Sequence, residues 1–313
     1  MSAGNPRSGT GRWSLVLAAP ALLAGVAAAS AVSQVAFDRR VAGEAQQLFA
    51  GSKGRSRLVT EADLVGLPEP VQQWLRWSNV PGTAYPATVR IRQQGQFRMG
   101  QDRGWMPFRA QEYYTTDPPG YVWKVSFRMA PLITVRGRDR YAGGQASIDM
   151  RLLSLIPVAN DRGPGLNQGA LLRYLNETMW FPAGVLSPYI TWAARDPRSA
   201  VATMRYGGVS ASATFWFDEQ GRLADMTAER FDNARKAILP WSTPISDYGQ
   251  FAGIRVPVEG AGVWHYEQGA FPYIRLRVID LEYNRPEPYK GLVTPATREQ
   301  PQHGDQDPTV RQG

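Results

Sequence analysis

Between positions 88 and 129 the apolar residues fall largely at every second position, and this period restricts the fold more than any other feature of the chain. Val89, Ile91, Phe97 and Met99 share one face of the first segment, while Arg90, Arg92, Gln94, Gln96 and Arg98 share the other. Gln101-Asp102-Arg103-Gly104 turns the chain, segment 105–116 runs back, and Asp117-Pro118-Pro119-Gly120 turns it again. Tyr121, Trp123, Val125, Phe127 and Met129 then alternate with Lys124, Ser126 and Arg128. Successive side chains of a strand point to opposite faces, so this pattern predicts half-buried antiparallel strands joined by hairpins.

The same period returns at 133–141, 209–217, 222–231, 254–258, 263–267 and 273–283. Asp218-Glu219-Gln220-Gly221 joins two of these segments and puts glycine where a positive φ is needed. Helical spacing interrupts the pattern. Thr60 and Asp63 form a capping-box pair, Val71, Trp74 and Leu75 follow Pro70, and Leu171, Leu172, Tyr174, Leu175 and Met179 make a stripe that starts near Asn167 and stops before Pro182. A short helix is also expected at 41–49. Ten Trp and thirteen Tyr suit a pleated surface. The expected fold is mainly β (α+β), a strongly curved antiparallel sheet or half-open barrel packed against one or two helices. No fixed-period repeat or composition break divides it, so the expected domain is a single unit over 61–284, after a linker with a short helix at 38–60 and before a solvated, disordered tail at 285–313.

Residues 1–37 read as an address. Arg7 and Arg12 precede an apolar run at 13–31, broken only by Ser14, Pro20, Gly25 and Ser30. A basic leader and an alanine- and leucine-rich stretch suit a secretory signal, with small residues at 27–31 for cleavage. The run is also near the roughly 20 residues that span a bilayer, so a retained transmembrane anchor stands beside the cleaved signal. Either way the chain is expected to be exported or anchored to a bacterial inner membrane with its body outside the cytoplasm. Arg39 and Arg40 beyond the run partly balance the positive leader.

Chemistry is hard to find. There is no cysteine, which excludes disulfides, thiolate metal sites and a thiol nucleophile. Of two histidines, His303 lies in the tail, and His265 has no second histidine at ligand spacing. Gly163-Pro164-Gly165 lacks the lysine of a phosphate loop. Asp149, Glu177, Asp225, Glu229 and Glu267 are carboxylates a fold could pair, but spacing selects none. No metal, cofactor or catalytic residue is expected. Arg90, Arg92, Arg98, Lys124 and Arg128, with Arg136, Arg138 and Arg140 on the next segment, give a basic sheet face in a chain of net charge +8. That face either attracts an anionic membrane surface or is a solvated face relieved by Glu112, Asp139 and the C-terminal acids. The export signal disfavours nucleic acid. Trp123, Phe127, Met129, Phe215 and Phe217 on the opposite faces, with Tyr174 and Trp180 from the helix, either fill a core or line an apolar cleft for a lipid or other hydrophobic ligand.

Trp105-Met106-Pro107-Phe108, Asp117-Pro118-Pro119-Gly120, Gln168-Gly169 through Arg173-Tyr174-Leu175 and Trp180-Phe181-Pro182 resemble an uncharacterised family of bacterial envelope proteins. So do Phe217-Asp218 with Gly221-Arg222, the stretch from Phe251 to Pro257, and Val263-Trp264, although Ala252 stands where glycine is expected. The resemblance spans 67–284 and implies no activity and no functional residue. At the level of fold the chain is also similar to the lipoprotein-carrier class, a half-open barrel wrapped over helices around an apolar cavity. That likeness implies a non-enzymatic envelope protein holding a hydrophobic or lipid ligand in a curved sheet. The alternatives are a ligand-free interaction or scaffold domain and a carboxylate-dependent hydrolase.

Overall fold

The computed structural model describes residues 11–54, 57–131 and 133–291, with side chains described from residue 24 onward. The described strands are β1 (Thr88–Phe97), β2 (Met106–Thr116), β3 (Pro119–Ala130), β4 (Ile133–Ala142), β5 (Gln145–Leu152), β6 (Ile156–Arg162) and β7 (Ile190–Asp196). They continue as β8 (Ser199–Tyr206), β9 (Val209–Phe217), β10 (Leu223–Asp232), β11 (Ala237–Ser242), β12 (Ile245–Phe251), β13 (Ile254–Tyr266) and β14 (Gly269–Tyr283). All fourteen join one antiparallel sheet in the order β6-β5-β4-β3-β2-β1-β14-β13-β11-β10-β9-β8-β7, with β12 paired to β13. The segments from 88 to 141 and from 209 to 231 form the predicted hairpins, those expected at 254–258 and 263–267 are one continuous strand, β13, and β1 against β14 joins the two ends of the domain, with Val89 opposite Tyr283.

The ends of this order, β6 and β7, do not pair, and the sheet curls into a half-barrel. Its curl is tight enough for the β4–β5 turn to meet the β8–β9 turn. Gly144 (φ +79°) and Gly207 (φ +58°) touch there, and a Cβ on Gly144 would lie 2.6 Å from the Gly207 carbonyl oxygen. Both the left-handed backbone and the close approach require glycine. Tyr141 and Tyr206 meet edge to face beside this contact.

Two helices occupy the concave side. Helix α3 (Pro164–Glu177) begins three residues before Asn167, with Pro164 in the first turn, where its missing N–H costs nothing. The Asn167 side chain instead accepts a 2.7 Å hydrogen bond from the Ala146 backbone and ties α3 to β5. Helix α2 (Glu69–Trp77) puts Trp74 6.0 Å from the Phe215 ring and 5.9 Å from that of Phe217.

Helix α1 (Gly11–Ala50) is continuous through the boundary expected at residue 37 and lies on the convex side. Phe37, Val41, Ala45 and Phe49 recur every four residues and bury one face against Tyr113, Val122 and Tyr289. Tyr289 is buried as well, a single anchored ring in the segment expected as a solvated tail, whose residues 285–287, 290 and 291 are exposed. The signal or anchor expected at 1–37 rests mainly on side chains outside the described residues, and His303 and the chain from 292 lie outside them too. Among the described residues no helix is long and apolar enough to cross a membrane.

These covers correct the expectation of an open basic face. Lys124 and Arg136 are buried and share Asp38 of α1 at 3.1 Å each, and Arg138 lies 3.0 Å from Glu44 of α1. Arg90 is buried, donates to Glu282 at 2.6 and 2.9 Å and stacks on Tyr289, which Arg92 also faces while lying 3.7 Å from Asp280. Arg98 is held between the rings of Trp105 and Phe271, and Arg128 alone of the five strand cations is exposed. Buried cations need counter-charges, and here residues far away in sequence supply them.

Candidate ligand-binding site

A cavity of about 820 Å³ lies between the concave sheet face and α3. Helix α3 offers it Gly169, Arg173 and Glu177, one stripe at four-residue spacing, while Leu171 and Leu175 pack into the core. Trp123 of β3 and Trp180 from the turn after α3 line it, as do Phe231, Trp241, Trp264 and Ile274 from the other side of the sheet. Its size and aromatic lining are those of a small-molecule site, a class that spans roughly 300–1,000 Å³.

The seven expected ligand contacts separate. Trp123 and Trp180 line the cavity. Phe127 stands behind its wall, 5.2 Å from Phe97, 5.8 Å from Phe108 and 6.2 Å from Trp123. Tyr174 is buried against Tyr114 and Phe181 and donates its hydroxyl to the Thr115 carbonyl at 2.9 Å. Phe215 and Phe217 belong to the core under α2, and Met129 is 46% exposed at the end of β3. Phe127, Tyr174, Phe215 and Phe217 are buried as predicted, but on a curled sheet one face serves packed regions as well as the cavity, and Met129, expected to point inward, falls where the β3–β4 register shifts and is exposed.

One wall carries a buried charge cluster that no spacing announced. Arg173 donates NH2 to Glu112, NH1 to Asp139 and Nε to Glu177, each at 2.7 Å. Its guanidinium lies 4.9 Å from the Tyr121 ring centroid and 4.8 Å from that of Trp123. Gln93 donates to the second oxygen of Glu112 and accepts from the Trp123 indole, while Tyr114 donates to the second oxygen of Glu177 and Tyr121 to Asp139. Only Asp139 Oδ1, among the cluster's carboxylate oxygens, is buried without a partner.

Three carboxyls thus face one guanidinium. Burial pushes Glu112 well above the usual carboxylate range, which Arg173 opposes and Glu177 reinforces. Burial likewise raises Glu177 against the pull of Arg173. For Arg173 burial disfavours the charge, but Glu112, Glu177, Tyr121 and Asp139 outweigh it and hold the guanidinium protonated. The cluster is a fixed polar wall in which three carboxyls share one guanidinium. A carboxylate pair acting as acid and base needs oxygens free to reach a substrate, and here the protein's own donors occupy all but one.

Outside the cavity, His265 is exposed and its Nε2 lies 2.7 Å from Ser242 Oγ. Asp149 pairs with Arg40 and Arg151, and Asp225 accepts from the Met226 and Thr243 backbones. Among the described residues no three His, Cys, Asp or Glu side chains are grouped to hold a metal ion.

A model of a family of unknown function, DUF6544, matches residues 57–276, which hold α2, α3, β1 to β13, part of β14 and all of the cavity lining. The chain belongs to that family. No curated protein matches the chain. Among solved structures it is similar to a LolA superfamily protein from Nitrosomonas europaea, at 9% identity and a TM-score of 0.34, over 72% of this chain and 91% of that one.

Proposed function

We propose that this protein is a non-enzymatic binder of one hydrophobic or lipid ligand, held in the cavity between α3 and the concave sheet face. One observation carries the reading: an 820 Å³ space lined by Trp123, Trp180, Trp241 and Trp264 persists in a domain whose other aromatic faces are packed. A scaffold domain would gain by filling that space, because apolar surface left unburied forgoes about 25 cal/mol per Å². The commitment of the cluster's carboxylates to Arg173, Gln93 and tyrosines supports binding over hydrolysis.

The same reading puts the body outside the cytoplasm, tethered or released by residues 1–37, and next to a bilayer. Support comes from one end of the sheet. Met129, Ile133, Ile156 and Val158 are exposed there, on adjoining hairpins. Ser30 and Ser33 of α1 donate to the Leu153 and Ser154 carbonyls at that end, so the apolar run 13–31 meets the apolar rim at its C-terminal end. This rim takes the membrane-facing role that the covered arginines were expected to fill.

Displacement of a fluorescent alkyl probe from delipidated protein tests the binding reading. Micromolar binding that Trp180→Arg abolishes, without loss of fold, is expected. A probe that binds no better to wild type than to Trp180→Arg would refute it.

A further inference from the structure

We propose that the ligand is an amphiphile with an anionic head, and that Arg230 and the indole N–H of Trp241 form the head-group site. This rests on the cavity binding a hydrophobic ligand and adds which end of it is recognised, and by what.

Four arginines line the cavity. Arg173 spends its nitrogens on three carboxylates, Arg235 lies 3.6 Å from Asp232, and Arg98 donates to the Pro272 carbonyl at 2.7 Å. Arg230, like Arg98, is in none of the ion pairs of the described residues, but where Arg98 donates its Nε to a backbone carbonyl, the one hydrogen bond of Arg230 runs from Nη1 to the Tyr273 hydroxyl at 3.1 Å. Its Nε is buried and has no acceptor. Its guanidinium is fixed 4.6 Å from the Trp241 ring centroid and 5.7 Å from that of Trp264, so it is oriented without being neutralised.

Trp241 supplies the second, independent sign. Its residue is only 3% exposed, it lines the cavity, and its Nε1 also lacks an acceptor. Buried donors are nearly always satisfied by protein, water or ligand. Two orphaned N–H groups, one of them on the uncompensated cation itself, ask for one anionic acceptor with more than one oxygen. A carboxylate or phosphate meets this, since a guanidinium fork binds such groups through two parallel hydrogen bonds. The Arg173 wall offers an anion no free donor, because its guanidinium nitrogens are already held by three carboxyls, so the head is steered to Arg230 and the chain lies along the tryptophans.

The test uses the full delipidated chain and four probes: dodecanoate, dodecyl phosphate, dodecan-1-ol and acetate, measured by competition against one fluorescent alkyl probe. Charge-assisted hydrogen bonds predict that dodecanoate or dodecyl phosphate binds about 10- to 100-fold tighter than dodecan-1-ol. The tighter of the two anions identifies the head chemistry, and acetate is expected to compete only at far higher concentration. Arg230→Gln should remove the preference while leaving dodecan-1-ol binding within about twofold, and Trp241→Phe should weaken the anions alone by about two- to tenfold. Arg98→Gln, which removes a cation elsewhere on the lining, should keep the preference. Equal binding of alcohol and anions by wild type overturns the head-group site and leaves the hydrophobic cavity standing. Failure of every alkyl compound overturns the cavity reading itself. If Arg230→Gln does not fold, the Trp241→Phe pair of affinities decides: an unchanged anion preference overturns the site.

Discussion

Glu177→Gln should make the protein less sensitive to pH and should not cost the stability normally lost when a buried ion pair is broken. Gln preserves the shape of the side chain and its acceptor for Arg173 Nε at 2.7 Å. Its amide nitrogen replaces the oxygen 3.0 Å from the Tyr114 hydroxyl, which turns to accept, because a hydroxyl serves either role. Arg173 keeps Glu112 and Asp139. What disappears is one of three carboxyls competing for one cation. Burial raises the Glu177 carboxyl in the folded state above its ordinary 4.5, so the native protein binds more protons than the unfolded chain above that pH. Stability from this group is therefore full below about pH 4.5 and is lost as pH rises through the raised value, at about 1.4 kcal/mol for each unit by which it is raised. Glu112 contributes with the same sign. Urea midpoints followed by tryptophan fluorescence at pH 5 and pH 8 measure this. Wild type should be weaker at pH 8, and Glu177→Gln should narrow the difference while holding stability at pH 8 to within about 1 kcal/mol of wild type or above it. A loss of about 3–5 kcal/mol at both pH values, the usual cost of stripping one partner from a buried pair, would refute the argument that the carboxyls outnumber their cation.

Arg173→Met leaves three carboxyls without a cation and should cost about 3–5 kcal/mol at pH 8 and much less at pH 4, by the same denaturation. Asp38→Asn removes the counter-charge shared by buried Lys124 and Arg136, and a drop of about 1–3 kcal/mol that 1 M salt reduces only in part is expected. Phe127→Ala should cost a full core-sized 3–5 kcal/mol, because rings of Phe97, Phe108 and Trp123 surround it, while alkyl-probe affinity measured on the surviving folded fraction changes little.

The strands with strict alternation were readable because a two-residue period has one cause, a sheet with one wet and one dry side. β5 and β6 were missed because β5 is mostly partly buried and β6 mostly exposed, and neither carries a clean alternation, as with Ile156-Pro157-Val158 at the edge. β7 and β8 were missed for a related reason: Ala193 and Ala194 are exposed while Ala200 and Ala202 are buried, and alanine signals neither face strongly. At the site, Trp123 and Trp180 could be named from face and helix position, but Phe215 and Phe217 share the face and were taken by Trp74 of α2. The charge cluster was invisible. Glu112, Asp139, Arg173 and Glu177 come from three elements, and Glu112 lies on the apolar side of β2 between residues that read as core. The open basic face failed for a non-local reason too, since its counter-charges Asp38 and Glu44 arrive on α1, roughly a hundred residues earlier in the chain than Arg136 and Arg138.

Native mass spectrometry of the full chain purified from its own host bears on the central claim most directly. The account predicts a population carrying one hydrophobic molecule per chain, removable by organic extraction and restored by adding the extract back, with Trp180→Arg purifying bare. A wild-type protein that appears only at its bare mass, and stays so after incubation with the host's lipid extract, would contradict it.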